Sequence, residues 1–426
     1  MKFLLLALFS LPAFAQMNCA GAPGAIHTNP DSNPGGFVAS TAYVAPTVFL
    51  APGSEVCQNA RVLGSVNING VSRILNTSQI ESGPGNTVYI EDAIVRGNAF
   101  VGFGTISVRW GAQVRDFARV TGNTYIAGTT AGDTVGPIIE GNAQVSGANI
   151  LNRVRISEDA VITGGQFRDF AKIYGAAHIA DYVQVYGNAE VYERARVSNG
   201  AQVYGLGKVY GEAQVYDSAK VYGNAEVSDF ATINYDTVVR DNAKVYGSAV
   251  ITVSSQGNGE RGVFNDARVH GNARVFSSSI VQDKAQVFGN SQINNTTVKN
   301  LARVSGSTNM NSAMIQDKAI VKGSAYINGG RVSDEGQVYG SAVLDNGAPH
   351  VTGAAQVFGY ARIEGNGIMR DRTQAYGNAI VRGLVKHSSQ VFGNAVIEST
   401  GELNGTATIH GSAVITTVIY NQDISQ

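Results

Sequence analysis

Six histidines, His27, His178, His270, His350, His387 and His410, are the side chains best placed to move a proton near neutral pH. His178, His270 and His410 each adjoin an apolar residue of a regular pattern and are expected to point outward from it. His350 and His387 fall where that pattern is broken, in segments expected to be loops. They are the only two candidates for a general base of an acyl-transfer reaction, and no Asp or Glu stands in a relay position to either. No metal site is expected: there is no H-E-x-x-H and no Cys-x-x-Cys. A Gly-x-Ser-x-Gly elbow and a phosphate-binding loop are also missing, so no cofactor is expected. Asp345-Asn346-Gly347 reads as a turn rather than as part of a calcium loop.

Tyrosine is the other residue whose spacing exceeds what composition requires. Steps of eighteen connect Tyr174, Tyr192 and Tyr210, then pass Ser228 and reach Tyr246; a second series joins Tyr186, Tyr204 and Tyr222. Tyr offers a large amphipathic contact surface at small entropic cost, so these seven are the candidate ligand-binding residues, for a glycan or an envelope protein. The competing reading is that the rings stabilise neighbouring strands by stacking on one another.

The elements that position these residues repeat every six. Apolar residues recur from Val161 through Phe167, Ile173, Ile179, Val185 and onward to Ile251, skip at Gly257, and resume at Val263 to continue to Ile293. Within Val221-Tyr222-Gly223-Asn224-Ala225-Glu226, Ala225 and the following Val227 alternate with Glu226, as inward and outward side chains of a strand do. Gly223-Asn224 supplies a corner. So short a strand buries its apolar face only if successive hexads wind into a coil. The outward residues set its circumference. Lys172, Glu190, Lys208, Glu226 and Lys244 alternate in charge at steps of eighteen, which makes attractive neighbours on adjacent turns. The fold class expected is therefore all-β: a parallel β-helix with three hexads in each ~18-residue coil.

The hexad Val-x-Gly-Asn-Ala-x, carried across residues 56–415, resembles the repeat of the hexapeptide-repeat, left-handed parallel β-helix superfamily (trimeric, LpxA-like). It is most similar to arrays of the form A-x-V-x-G-N-A-x-V. The resemblance implies left-handed winding and self-association as trimers. Acyltransferases of that superfamily use a histidine base, and its γ-class carbonic anhydrases hold zinc with three histidines on adjacent rungs, a relation no three histidines here have.

Residues 1–15 have the plan of a signal peptide: Lys2, an apolar core from Phe3 to Leu11, and Ala13-Phe14-Ala15 as the cleavage site. Residues 16–55, with Pro23, Pro30, Pro34, Pro46 and Pro52, read as a lead-in or N-terminal cap. The helix follows over 56–415, with insertions near 81–87, 128–137, 345–350 and 382–390 and a coil shortened to 17 residues after Ile293, for about seventeen to nineteen coils. Residues 416–426 form a tail. Cys19 and Cys57, the only cysteines, are expected to form a disulfide in an oxidising compartment. The net charge of −1 is spread in alternating signs, which argues against nucleic acid, and no later transmembrane anchor is expected. The expectation is an exported, non-enzymatic, rod-like structural or adhesive protein in the periplasm, at the cell surface or outside the cell. The alternative is an exported acyltransferase-like enzyme using His350 or His387.

Overall fold

The structure, a computed structural model, describes residues 19–254 and 259–425. The expected signal peptide and Gly257 lie outside the described residues. The chain is all-β, three parallel sheets stacked as a solenoid of about 21 turns of ~18 residues. It divides into two compact units, residues 1–160 and 161–426.

The hexad explains each turn. Val221, Ala225 and Val227 are fully buried, while Glu226 between them is only partly covered. Gly223 turns the corner at φ 69°. Each two-residue strand bonds to its counterpart one turn on: the Tyr204 N–H donates to the Val221 carbonyl at 3.0 Å and the Lys208 N–H to that of Ala225 at 2.9 Å. The corners pack as tightly as the core. At Gly306, where φ is +85°, a Cβ would stand 2.5 Å from the Gly323 carbonyl oxygen, so a side chain there meets backbone and not solvent.

In the first unit the coil begins within the expected lead-in. Pro34–Ala39 pairs in parallel with Glu55–Val56, Tyr43–Val44 with Arg61–Leu63, and Phe49–Leu50 with Val66–Asn69. Gly24–Thr28 lies antiparallel on Pro34–Ala39. Asn29 completes this cap with its side-chain amide, which accepts the Leu50 N–H at 2.8 Å and donates to the Leu50 carbonyl at 3.2 Å, standing in for the missing neighbour strand. Cys19 and Cys57 are disulfide-bonded. The segments 82–87 and 128–137 leave the coil between flanking strands.

In the second unit the inward residues on the first face include Ile173, Val191 and Val209; on the second, Ile179, Val197 and Val215; on the third, Val185, Val203 and Val221. The sequence steps between these faces are unequal in freedom. From first face to second, and from third to first, the inward residue arrives after six as far as Ile415, as in Ile173 to Ile179 and Val185 to Val191; in the tail the third-to-first step from Ile419 to Ile424 takes five. Before the tail, only the corner from the second face to the third varies. It takes five residues from Ile293 to Val298, seven from Leu344 to Val351, four from Val381 to Val385 and twelve from Ile251 to Val263.

That single variable corner accounts for four departures from the hexad count. Ile162 is buried and Val161 is not, because Phe167 arrives five residues after Ile162. The skip at Gly257 is a corner insertion of one hexad's length between Val250–Val253 and Gly262–Val263. The stretch 382–390 is a shortening and not an insertion, with Leu384–Val385 as its strand and Val385 buried. The tail continues the coil: Val418–Tyr420 pairs with Glu402–Asn404, and Asp423–Ser425 with Thr408–His410. With both chain ends recruited, the turns outnumber those counted from the hexads alone.

Candidate functional site

The tyrosines emerge one residue past the inward position of their strand, on the outer side of the sheet. Parallel pairing in register places equivalent residues over one another, one rung apart. Tyr174 and Tyr192 stack with ring centres 4.8 Å apart and 1° between planes; Tyr192 and Tyr210 follow at 4.9 Å. On the third face Tyr186 and Tyr204 stack at 4.8 Å, and Tyr204 and Tyr222 at 4.6 Å. The Arg168 guanidinium lies 4.6 Å over the ring of Tyr186 and covers its outer face. A ring inside a column, such as Tyr192 or Tyr204, therefore spends both faces on its neighbours and turns an edge to solvent. Burial, with the neighbouring rings and Glu193 and Glu190, pushes the Tyr192 phenol well above its ordinary range.

Tyr246 does not join Tyr210, because Ser228 occupies the rung between them. It heads a further column instead, stacking on His270 at 4.7 Å, which stacks on Phe288 at 5.0 Å. The same column resumes as Tyr339, Phe358, Tyr376, Phe392 and His410, spaced 4.8–5.0 Å. The search for tyrosine alone missed it, since Phe and His alternate with Tyr. Counting the residue after each first-face inward position, whatever ring it carries, would have found it.

The polar side chains are likewise engaged between rungs. Lys172 pairs with Glu190 at 3.0 Å and Lys244 with Glu226 at 2.9 Å, as the charge alternation requires. The Tyr222 hydroxyl donates to Glu260 at 3.0 Å, and Arg240 Nε donates to the same carboxylate at 2.9 Å, so the insertion after Val253 reaches back to the end of the Tyr186 column. Burial, then Glu260, raises the Tyr222 pKa. On the second face Asn294 donates to Asn311 at 3.3 Å, Asn311 to Asn328 at 3.1 Å, and Asn328 to Asp345 at 2.9 Å.

The two candidate bases are not brought together. His350 belongs to the strand His350–Val351 and pairs in register with Arg331 and Ile368, so it is a rung residue and not a loop residue. His387 sits at a corner two turns later, with φ 63°. Its N–H donates to Asp371 at 2.8 Å and its Nδ1 accepts the Gly405 N–H at 3.3 Å. Both its ring and its backbone thus tie adjacent corners. Among the described residues the only cluster of metal-ligand type is Cys19, Glu55 and Cys57, whose two sulfurs are joined to each other and are not available as thiolates. No helix among the described residues is long and apolar enough to cross a membrane. Comparison with known proteins finds no matching family model and no matching curated sequence.

Proposed function

We propose that the chain is an exported structural or adhesive protein of a bacterial envelope or exterior, without catalytic activity of its own, that presents its periodic faces to a glycan or an envelope protein. The observation that carries this reading is the commitment of outward side chains to their counterparts one turn away: ring on ring, lysine on glutamate, amide on amide. Such a surface is regular and rigid rather than convergent on a reacting atom. The disulfide at the N-terminal cap supports export to an oxidising compartment. Because the rings offer edges, a glycan on these faces would be held chiefly by the Lys, Glu and Gln groups beside them and less by ring-face stacking. The short strands, three to a turn, support placing the chain with the left-handed hexapeptide-repeat β-helices and, with them, assembly as a trimer. The acyltransferase-like alternative would need His350 and His387 to act singly, each already in a rung or corner role.

A glycan array and an envelope pull-down with the chain, beside a variant with Tyr192, Tyr204 and Tyr210 changed to Ser, test the proposal. Binding that the variant loses supports a presenting face at these columns. Acyl transfer that disappears in a His350→Ala/His387→Ala variant would refute it.

A further inference from the structure

The five-ring column from Tyr339 to His410 differs from the earlier ones in what stands beside it. The other outward position of the same strands carries Gln337, Gln356, Gln374, Gln390 and Thr408. Over these five rungs the first face presents no acid, lysine or arginine from either outward position of its strands. Beside Tyr174–Tyr210, in contrast, Lys172, Glu190, Lys208 and Glu226 occupy that position, and the Lys172–Glu190 ion pair lies along the row of rings. The uncharged strip is bounded at its ends. Lys322 stands 5.2 Å over the ring of Tyr339, and His410 pairs with Asp423 at 3.2 Å.

Two parallel columns two residues apart along a strand enclose a shallow groove about 7 Å wide, running across the strands. One wall is a row of ring edges and the other is glutamine stems and amides, and at the first rung the Tyr339 hydroxyl bridges the two by donating to the Gln356 side chain at 3.3 Å. Ring edges carry the positive end of the aromatic quadrupole and favour the face of another π system set against them. A rigid flat molecule lying across the rungs meets that contact again at every step of about 5 Å, in a groove that asks for no counter-charge.

We propose that the groove along Tyr339, Phe358, Tyr376, Phe392 and His410 binds elongated, planar conjugated aromatic molecules, lying parallel to the column and spanning several rungs. Small single-ring compounds gain one such contact and bind far more weakly. The equivalent positions along Tyr174–Tyr210 do not bind, because charged Lys and Glu side chains occupy the groove there.

The test uses thioflavin T as the probe and the full chain as the receptor, read by dye fluorescence and by induced circular dichroism of the bound dye. Saturable enhancement is expected. It should fall at least tenfold in a Phe358→Ser/Phe392→Ser variant and persist in Tyr192→Ser. Because interrupting the column could disturb the fold, Gln356→Arg/Gln374→Arg forms a second variant, which leaves every ring in place and blocks the groove; the same loss is expected with an unchanged far-ultraviolet spectrum. No enhancement by the unmodified chain, or enhancement that survives the arginine variant, overturns the proposal. So does dimerisation with concentration that the arginine variant abolishes while no dye binds, since the face would then belong to a second copy of the chain.

Discussion

Ser228 interrupts a column whose members otherwise stack at 4.8–4.9 Å, and filling that position measures what the column is worth. Strands Lys208–Val209, Glu226–Val227 and Lys244–Val245 pair in register, so the rings of Tyr210 and Tyr246 stand two rungs apart, about 9.6 Å. In Ser228→Tyr the new ring gains a stacked neighbour on each side. At about 0.5–1 kcal/mol for each pair, the gross gain is about 1–2 kcal/mol. Ordering the larger side chain costs about 0.5 kcal/mol. Ser228 is 7% exposed, so neighbouring groups must also yield, which places the net gain near 0.5–1 kcal/mol. In a unit of this size that raises the melting temperature by about 2–4 °C per kcal/mol. The measurement is the urea midpoint of Ser228→Tyr, alone and in a Tyr210→Ala/Tyr246→Ala background. The gain should vanish in that background. An equal gain in both would mean that stacking is not its source, and a loss in the native background would refute the picture of an open position in the column.

Other expectations concern the core, a titrating ring and the corners. Thr308 is buried with its hydroxyl unpartnered, whereas the Ser291 hydroxyl donates to the Phe288 carbonyl at 2.7 Å; Thr308→Val should stabilise by about 1 kcal/mol and Ser291→Ala should destabilise by a similar amount, both read from denaturant midpoints. Burial, then the nearby Arg268, holds the His270 pKa below its ordinary value of 6.5. With a folded value below the unfolded one, its stabilising contribution is complete above about pH 6.5 and declines as pH falls through the folded value; His270→Phe should remove that part of the pH dependence between pH 7.5 and 5. One residue inserted after Gly347, at the variable corner, should change stability by less than about 1 kcal/mol. The same insertion after Gly359 breaks a six-residue step, dislocates Phe358 from Tyr376, and should cost at least three times as much, seen as lost hydrogen-exchange protection around that column.

The hexad and its eighteen-residue multiple were legible because alternation and rung-to-rung charge pairing act locally, between residues whose spacing is fixed by the strand. Val221 and the Lys172–Glu190 pair could be read that way. The corners could be read only in part: the five-residue steps after Ile293 show in the sequence. A four-residue step such as Val381 to Val385 hides its inward residue from a count in sixes, and the apparent resumption after Gly257 comes from an insertion of the same length as the repeat. The N-terminal cap was illegible for a different reason: Asn29 completes a strand edge with a side chain, and no periodicity marks such a residue. In the aromatic columns, the first tyrosines were found and the longest stack was not, because stacking requires a flat ring and is indifferent to whether it is Tyr, Phe or His.

The asparagine chain on the second face has a direction. Every side-chain amide from Asn294 to Asn328 donates toward the later turn, so their dipoles add and do not cancel, and the last N–H meets the Asp345 carboxylate. At the other end the Asn294 carbonyl oxygen is buried without a partner. A row of side chains thus does what aligned peptide groups do in a helix: it carries partial positive charge toward one end, where an anion neutralises it, and leaves partial negative charge at the other. A molecule with almost no net charge in this way holds a permanent electrostatic arrow along one face, from Asn294 to Asp345.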